Sequence, residues 1–131
     1  MRVVLDASAA IEIVLDRANG ARFSGILEQA DLVLAPDLLV PEVSNTIWKY
    51  HQYEHLNLDI CQRALEFAIG LTDVLVASTE LYREAFLLAR AARRPVYDMF
   101  YLALARREDA AFLTLDTVLR KEAERQAVRV L

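Results

Sequence analysis

The sequence predicts an α/β fold with a mostly parallel central sheet, and three observations support this. Short apolar runs at residues 3–5, 32–34 and 110–115, the last interrupted only by Thr114, are typical of strands buried on both faces. Segments with helical spacing separate these runs, as in βαβ units. With 131 residues, 56% of them hydrophobic, and only three Gly and three Pro, the chain is expected to form one ordered domain with a substantial core.

The first half of the chain alternates strands and helices. The predicted elements are a strand at residues 3–5, helices at 8–15 and 20–29, a strand at 32–34, and a helix that begins near residue 37. Pro41 lies in the first turn of this last helix or kinks it. Glu42, Asn45 and Lys49 recur at spacings of three and four residues. They are therefore predicted to share one stripe of the helix.

The second half continues the pattern. The predicted elements are a helix at 58–69, a strand at 72–77, a helix from 78 that Pro95 ends, a short strand at 95–97, a helix with Asp98 at its start, a strand at 110–115, a helix at 117–126 and a strand at 128–131. Gly70 is expected to end the first of these helices in a left-handed conformation. Ser78 is expected to cap the next one. Residues 99–105 are all apolar, which predicts a helix buried on most sides.

Acidic residues follow the predicted strands. Asp6, Asp98 and Asp116 each follow a strand, and Glu42 lies just after another. In parallel sheets, ligand sites lie beyond the carboxyl ends of the strands. Two carboxylates ~4 Å apart repel by about 4 kcal/mol at an effective dielectric of 20, so four of them require a cation. An all-oxygen ligand set favours Mg²⁺ or Mn²⁺, and the natural chemistry is metal-assisted phosphodiester hydrolysis. The simpler interpretation of Asp98 alone is a helix N-cap.

These motifs, taken together, resemble a known family. The stretches LDASA at residues 5–9, Pro41-Glu42 with Asn45, Tyr97-Asp98 followed by Tyr101 and Ala103, and LTLD at residues 113–116 resemble the PIN domain, in the branch of the VapC ribonuclease toxins. The resemblance spans the whole chain. It implies a three-layer α/β/α sandwich and a Mg²⁺- or Mn²⁺-dependent endonuclease that cleaves single-stranded RNA.

The resemblance also implies roles for individual residues and partners. Asp6, Glu42, Asp98 and Asp116 would be the metal-binding and catalytic acids. Ser8, Asn45 and Thr114 would orient the acids or a water molecule. An equally good interpretation is that they are only helix caps or ordinary polar residues of a strand. The implied partners are a second copy of the chain and a small antitoxin, which lays a helix in a groove and often blocks the acids with an Arg.

Three other functions compete with this one. The stretch HQYEH places His51 and His55 on one helical face, which matches the H-x-x-E-H pattern of a zinc peptidase. A receiver-type phosphoacceptor domain would need a Lys after a late strand, but Lys49 and Lys121 lie on predicted helices. A PIN scaffold without turnover, acting as a protein- or RNA-binding module, is the third alternative.

The composition restricts the ligand classes and the cellular compartment that we expect for the protein. The net charge of −4 does not favour general polyanion binding. One Cys, Cys61, excludes an internal disulfide and suits a reducing cytosol. Asp6 and Glu12 interrupt the apolar N-terminus, so we expect a cytoplasmic protein without a signal peptide or membrane segment. The aromatic residues at positions 48, 50 and 53 are expected to lie in the core more often than at an interface.

Overall fold

A parallel four-stranded sheet forms the centre of the molecule. The computed structural model describes residues 1–131. The strands are β1 (Arg2–Leu5), β2 (Leu32–Pro36), β3 (Val74–Val76) and β4 (Ala111–Leu113). Their spatial order is β3-β2-β1-β4, and every pair is parallel. The predicted α/β fold class is confirmed.

Seven helices and one short 3₁₀ turn connect the strands. They are α1 (Ala7–Val14), α2 (Gly20–Glu28), α3 (Leu39–Glu54), α4 (Leu58–Gly70), the 3₁₀ turn Ser78–Glu80, α5 (Tyr82–Ala92), α6 (Val96–Arg107) and α7 (Thr117–Arg125). None of these helices is both long enough and apolar enough to cross a bilayer.

Helices cover both faces of the sheet and form three layers. Side chains alternate along a strand, so Val3 and Leu5 pack with α1 to α4, whereas Val4 packs with α5 to α7. Residues 99 and 101–105 of α6 are all buried, as the unbroken apolar run predicts. This arrangement brings the carboxyl ends of the strands, and the residues that follow them, to one edge of the sheet.

Three predicted helix boundaries are wrong. Residues 95–97 are no strand, because α6 begins at Val96 directly after Pro95, whose fixed φ is compatible with a helix start. Gly70 does not end α4 in a left-handed conformation: α4 runs through Gly70, and no glycine has a positive φ. Ser78 caps no helix, since its hydroxyl and backbone N–H both donate to the Asp37 carboxylate.

Two further predictions need correction. The last strand is reduced to a single parallel bridge between Val130 and Phe112. The helix α3 does not bury all its aromatic residues, because Trp48 is 50% exposed and Tyr53 is 70% exposed. These two rings pack edge to face on the surface with centroids 5.8 Å apart. The chain therefore presents aromatic side chains to solvent along α3.

Candidate active site

Four elements bring the four predicted acids to one pocket. Asp6 follows β1 and caps α1, and Asp116 follows the end of β4 and caps α7. Glu42 lies in the first turn of α3, and Asp98 lies in the first turn of α6. All four line the same cavity of about 450 Å³. The predicted convergence on this edge of the sheet is thus observed, although Asp98 arrives from a helix rather than from the end of a strand.

Asp6 is the most deeply buried of the four acids. Its side chain accepts hydrogen bonds from the Ala9 backbone N–H at 3.0 Å, from the Ser8 hydroxyl at 2.7 Å and from the Thr114 hydroxyl. Burial, together with the smaller effect of the nearby Glu42 charge, raises the pKa of Asp6 to about 6. The hydrogen bonds oppose this rise. Asp6 is therefore held in one orientation by three donors.

Ser8 and Thr114 also join the two strand ends. The Leu115 backbone N–H donates to the Ser8 hydroxyl at 2.9 Å, and the Asp116 backbone N–H donates to the Thr114 hydroxyl at 3.1 Å. Each hydroxyl donates in turn to Asp6. Both residues for which an orienting role was predicted therefore contact Asp6. Asn45 also lines the cavity, but its exposed side chain forms no hydrogen bond within the protein.

Glu42 is oriented by a residue to which the sequence motif assigned no role. The buried Tyr101 hydroxyl donates to Glu42 Oε1 at 2.6 Å. Burial raises the pKa of Glu42, this hydrogen bond opposes the rise, and the charge of Asp98 adds to it. Burial and the facing carboxylates raise the pKa of Tyr101 as well, so the phenol stays protonated and remains a donor. The available signal was the spacing of Tyr101, which follows Asp98 by three residues on α6.

Asp98 is half-buried and is not a helix cap. The capping position of α6 is Pro95, and no side chain bonds to the first turn. Burial raises the pKa of Asp98, the charge of Asp116 raises it further, and Arg94 opposes both. The N-cap interpretation is therefore wrong for Asp98 but applies to Asp116, whose Oδ1 accepts from the Val118 and Leu119 backbone N–H groups at 2.9 and 3.0 Å.

The acids form a connected series of like charges. The charge of Glu42 acts on Asp6, that of Asp98 on Glu42, and that of Asp116 on Asp98. Nevertheless, no three His, Cys, Asp or Glu side chains lie close enough together to enclose one ion in this arrangement. Hard oxygen donors that repel one another suit a divalent cation that keeps several water ligands. The donor set therefore fits Mg²⁺ or Mn²⁺ in chemistry.

Two residues that lacked a predicted role also line the pocket. Glu12 is buried in α1, and Arg17 lies in the connection between α1 and α2. Arg17 is the one basic side chain in the cavity wall. Neither was identifiable as a site residue from the sequence, because the turn that places Arg17 has no recognisable motif.

The histidine pair does not form a comparable site. His51 Nδ1 lies 2.7 Å from the Leu56 carbonyl oxygen, and His55 adopts a left-handed conformation at the end of α3. Both side chains are exposed, and no third ligand joins them. A second cavity of about 500 Å³ lies at the amino ends of the strands among Arg2, Arg106 and Arg129, far from the acids along the strand direction. The acidic pocket is thus the better candidate for chemistry.

Comparisons with known proteins agree with this fold. The family model described as "PIN domain" matches residues 3–124. Ribonuclease VapC3 from Pyrobaculum aerophilum is 30% identical over 124 residues, which are 93% of this chain and 95% of that protein.

Two solved structures are similar at lower identity. The crystal structure of PAE2754 from Pyrobaculum aerophilum aligns with a TM-score of 0.71 and 19% identity, over 93% of this chain and 84% of that chain. The structure of VapBC2 from Rickettsia felis, bound to a DNA fragment from their promoter, aligns with a TM-score of 0.69 and 14% identity, over 100% and 98% of the two chains. These two likenesses concern the fold. The family match over residues 3–124 and the 30% identical relative show that the chain belongs to the PIN domain family.

Proposed function

We propose that this protein is a Mg²⁺- or Mn²⁺-dependent endoribonuclease that cleaves single-stranded RNA in the cytoplasm, as the toxin of a toxin-antitoxin pair. One observation carries the proposal: four carboxylates from separate elements line one cavity, and burial and mutual repulsion raise the pKa of three of them. A site that keeps like charges together, with none of them in an ion pair, is organised for a cation. The similarity to a protein named ribonuclease supports RNA as the substrate.

The residues of the chain have distinct tasks in this reaction. A bound divalent cation would supply activation of water and charge neutralisation at the phosphate. Asp6, Glu42 and Asp98 would hold it, with Asp116 contributing directly or through water. Hydrolysis forms a bond between the water oxygen and phosphorus and breaks one P–O bond of the diester. The proton released by the water passes to a carboxylate or to solvent, and the leaving oxygen takes up a proton from solvent.

Positioning is provided by the groups behind the acids. The Ser8 and Thr114 hydroxyls fix the Asp6 carboxylate, and the Tyr101 phenol fixes Glu42. Because these donors are buried or half-buried, they hold the carboxylates in place before substrate binds, which is how an active site reduces reorganisation during reaction. Asn45 is proposed to orient a water molecule or the substrate from the cavity wall.

Two exposed apolar surfaces are consistent with protein partners. A groove of about 650 Å³ between α5 and α6 is lined by Tyr82, Phe86, Leu87, Val96 and Phe100, with Arg83 at its margin. We assign this groove to a second copy of the chain, because pairing about a twofold axis buries the same apolar patch on both copies.

The second apolar surface lies between α1 and α4. It is lined by Val14, Ile60, Ala64 and Phe67, with Arg63 beside them. Phe67 is 57% exposed and Ile60 is 46% exposed, and the shallow groove between two helices suits an apolar helix face. We assign it to the antitoxin helix. A PIN scaffold without turnover would use the same surfaces, so only an activity measurement separates the two functions.

The decisive experiment is an RNA cleavage assay with the purified chain. A panel of structured and unstructured RNAs is incubated with Mg²⁺, Mn²⁺ or EDTA, using the wild type and Asp98→Asn. The control is Asp59→Asn, since Asp59 is also an acid in the first turn of a helix, α4, but lies outside the pocket. Cleavage that needs a metal, is lost in Asp98→Asn and persists in Asp59→Asn is expected. Equal cleavage by all three proteins would refute the site.

The same variants test metal binding without RNA. Removing the Asp98 charge relieves repulsion in the metal-free pocket, so Asp98→Asn is expected to melt at a higher temperature than the wild type in EDTA. Mg²⁺ at a hundredfold excess over its dissociation constant stabilises the wild type by about 2.7 kcal/mol and should stabilise Asp98→Asn much less. Equal metal-induced shifts in both proteins would remove Asp98 from the metal site.

A further inference from the structure

Arg17 occupies an unusual position in the wall of the acidic pocket. Five acids line this cavity, namely Asp6, Glu12, Glu42, Asp98 and Asp116, and Arg17 is its one basic residue. The Arg17 guanidinium lies over the Tyr50 ring, 4.5 Å from the centroid. It forms no ion pair or hydrogen bond with any of these acids, although carboxylates surround the cavity. Its donor groups are therefore free at the mouth of the pocket.

The backbone that carries Arg17 is fixed by a buried carboxylate. The Arg17 backbone N–H donates to the Glu12 carbonyl at 2.9 Å. Asn19 donates to Glu12 Oε2 through both its backbone N–H, at 3.0 Å, and its side chain, at 3.2 Å. A Cβ at Gly20 would lie 2.5 Å from the Glu12 carbonyl oxygen, so only glycine permits this close approach of α2. The turn is thus held tightly against α1, and this explains the burial of Glu12.

A smaller cavity, distinct from the one at the amino ends of the strands, continues from the acidic pocket past Tyr50. It has a volume of about 260 Å³ and is lined by Thr46, Lys49, Tyr50, Tyr53 and Glu54. Thr46 and Tyr50 also line the acidic pocket, so the two cavities share a wall along α3. The exposed Tyr53 ring stands at the far end, braced edge to face by Trp48. Arg17, the Tyr50 ring and Lys49 thus line the two adjoining cavities.

Building on the proposed function, we propose that single-stranded RNA leaves the acidic pocket along α3, where Arg17 binds a phosphate next to the cleaved bond and Tyr53 stacks against a base. A strand that enters a pocket of five acids needs a cation for its flanking phosphate, and Arg17 is the cation in the wall. Exposed aromatic rings beside basic side chains are the usual platform for unpaired bases. The stacking of Arg17 on Tyr50 restricts the Arg17 side chain before RNA binds, which limits the ordering required on binding.

The first test measures binding of a fluorescent random-sequence RNA of about twelve nucleotides, with Ca²⁺ in place of Mg²⁺ and intact RNA verified on a gel. Arg17→Gln is expected to weaken binding about tenfold, the loss of a charge-assisted contact. It should also lower the dependence of log Kd on log salt concentration by about 0.7. Arg17→Lys should recover part of the affinity, because the charge remains.

The matched control is Arg22→Gln. Arg22 also lies over an aromatic ring, that of Phe23 at 4.7 Å, but it lines neither cavity. Arg22→Gln is expected to bind RNA as the wild type does. Tyr53→Ala should weaken binding by about fivefold or more without changing the salt dependence, since stacking involves no charge. Equal affinity and salt dependence for Arg17→Gln and Arg22→Gln would overturn the proposal.

Cleavage assays separate this proposal from the function on which it rests. With Mg²⁺, Arg17→Gln should raise KM about tenfold and leave kcat within about twofold. If the wild type binds RNA through Arg17 but cleaves none of a broad panel, the ribonuclease function fails and the RNA path stands. If the wild type cleaves RNA and Arg17→Gln has the KM of Arg22→Gln, the path fails and the nuclease stands. Absence of RNA binding by the wild type overturns the path as well.

Discussion

The buried Asp6 carboxylate makes the stability of the metal-free protein depend on pH in an unusual direction. Its pKa in the folded protein is about 6, above the ordinary value of 3.8. Between these values the native state binds more protons than the unfolded state, so the free energy of unfolding falls as the pH rises. The difference corresponds to about 3 kcal/mol, present in full below pH ~4 and lost above pH ~6. Glu42 and Asp98 act in the same direction, because their pKa values are also raised.

Asp6→Asn tests this directly. The Asn oxygen can accept from Ala9 and Ser8, but the amide nitrogen replaces the oxygen that accepts from Thr114, which costs about 1 kcal/mol. At pH 7.5 in EDTA the variant should therefore be more stable than the wild type by about 2 kcal/mol, a rise in Tm of about 7 °C for a chain of this length. At pH 4, where Asp6 is protonated in the wild type, the variant should be less stable by about 1 kcal/mol.

Thermal and urea unfolding of both proteins from pH 4 to 8, with EDTA, gives the required profiles. The crossing of the two curves is the diagnostic result, since a simple loss of packing would lower the stability of the variant equally at every pH. Excess Mg²⁺ should remove the decline in the free energy of unfolding of the wild type above pH 6. It should leave the stability of the variant nearly unchanged. Parallel profiles for the two proteins would refute the reasoning that Asp6 is an ionised, uncompensated carboxylate in the metal-free fold.

The remaining predictions concern one positioning residue and one surface. Tyr101→Phe deletes the hydrogen bond to Glu42, so the pKa of Glu42 should rise. The acid limb of the pH profile of kcat should then move to higher pH, with activity reduced about tenfold or more. An unchanged pH profile would exclude this positioning role. Phe86→Glu places a charge in the α5/α6 groove and should convert a sedimenting dimer to a monomer without lowering Tm, whereas a wild type that is already monomeric at micromolar concentration would refute the assignment of the groove.

Much of the fold follows from local patterns in the sequence. The apolar runs before Asp6 and Asp116 are buried strands, as predicted, because a parallel sheet covered on both faces requires unbroken hydrophobic sequence. The convergence of the acids follows from the same rule, since the carboxyl ends of parallel strands lie at one edge. Asp98 reached the predicted pocket by a different route, because Pro95 is followed directly by a helix instead of starting the predicted strand at 95–97.

The wrong predictions share a physical cause. A local sequence signal permits more than one conformation, and tertiary contacts select among them. Ser78 has the side chain of a good cap, but Asp37, 41 residues away in sequence, takes its hydroxyl. Gly70 can adopt a left-handed conformation, yet left-handed residues end α3 at His55 and α5 at Arg93 instead. The aromatic residues of α3 fit a core by composition, and only the packing of the other elements shows that Tyr53 lies outside it.

The pocket combines a burial gradient with one basic side chain in its wall, that of Arg17. Asp6 is 5% exposed, Glu42 and Asp98 are half-buried, and Asp116 is exposed. Burial therefore decreases from Asp6 to the exposed side chains of Asp116 and Arg17 in the same cavity wall. In the proposed reaction a divalent cation would gain most from the buried carboxylates that repel one another, and an RNA phosphate would gain most where a guanidinium remains free. On this proposal the metal would lie toward the buried acids, and the phosphate next to the cleaved bond would lie beside Arg17.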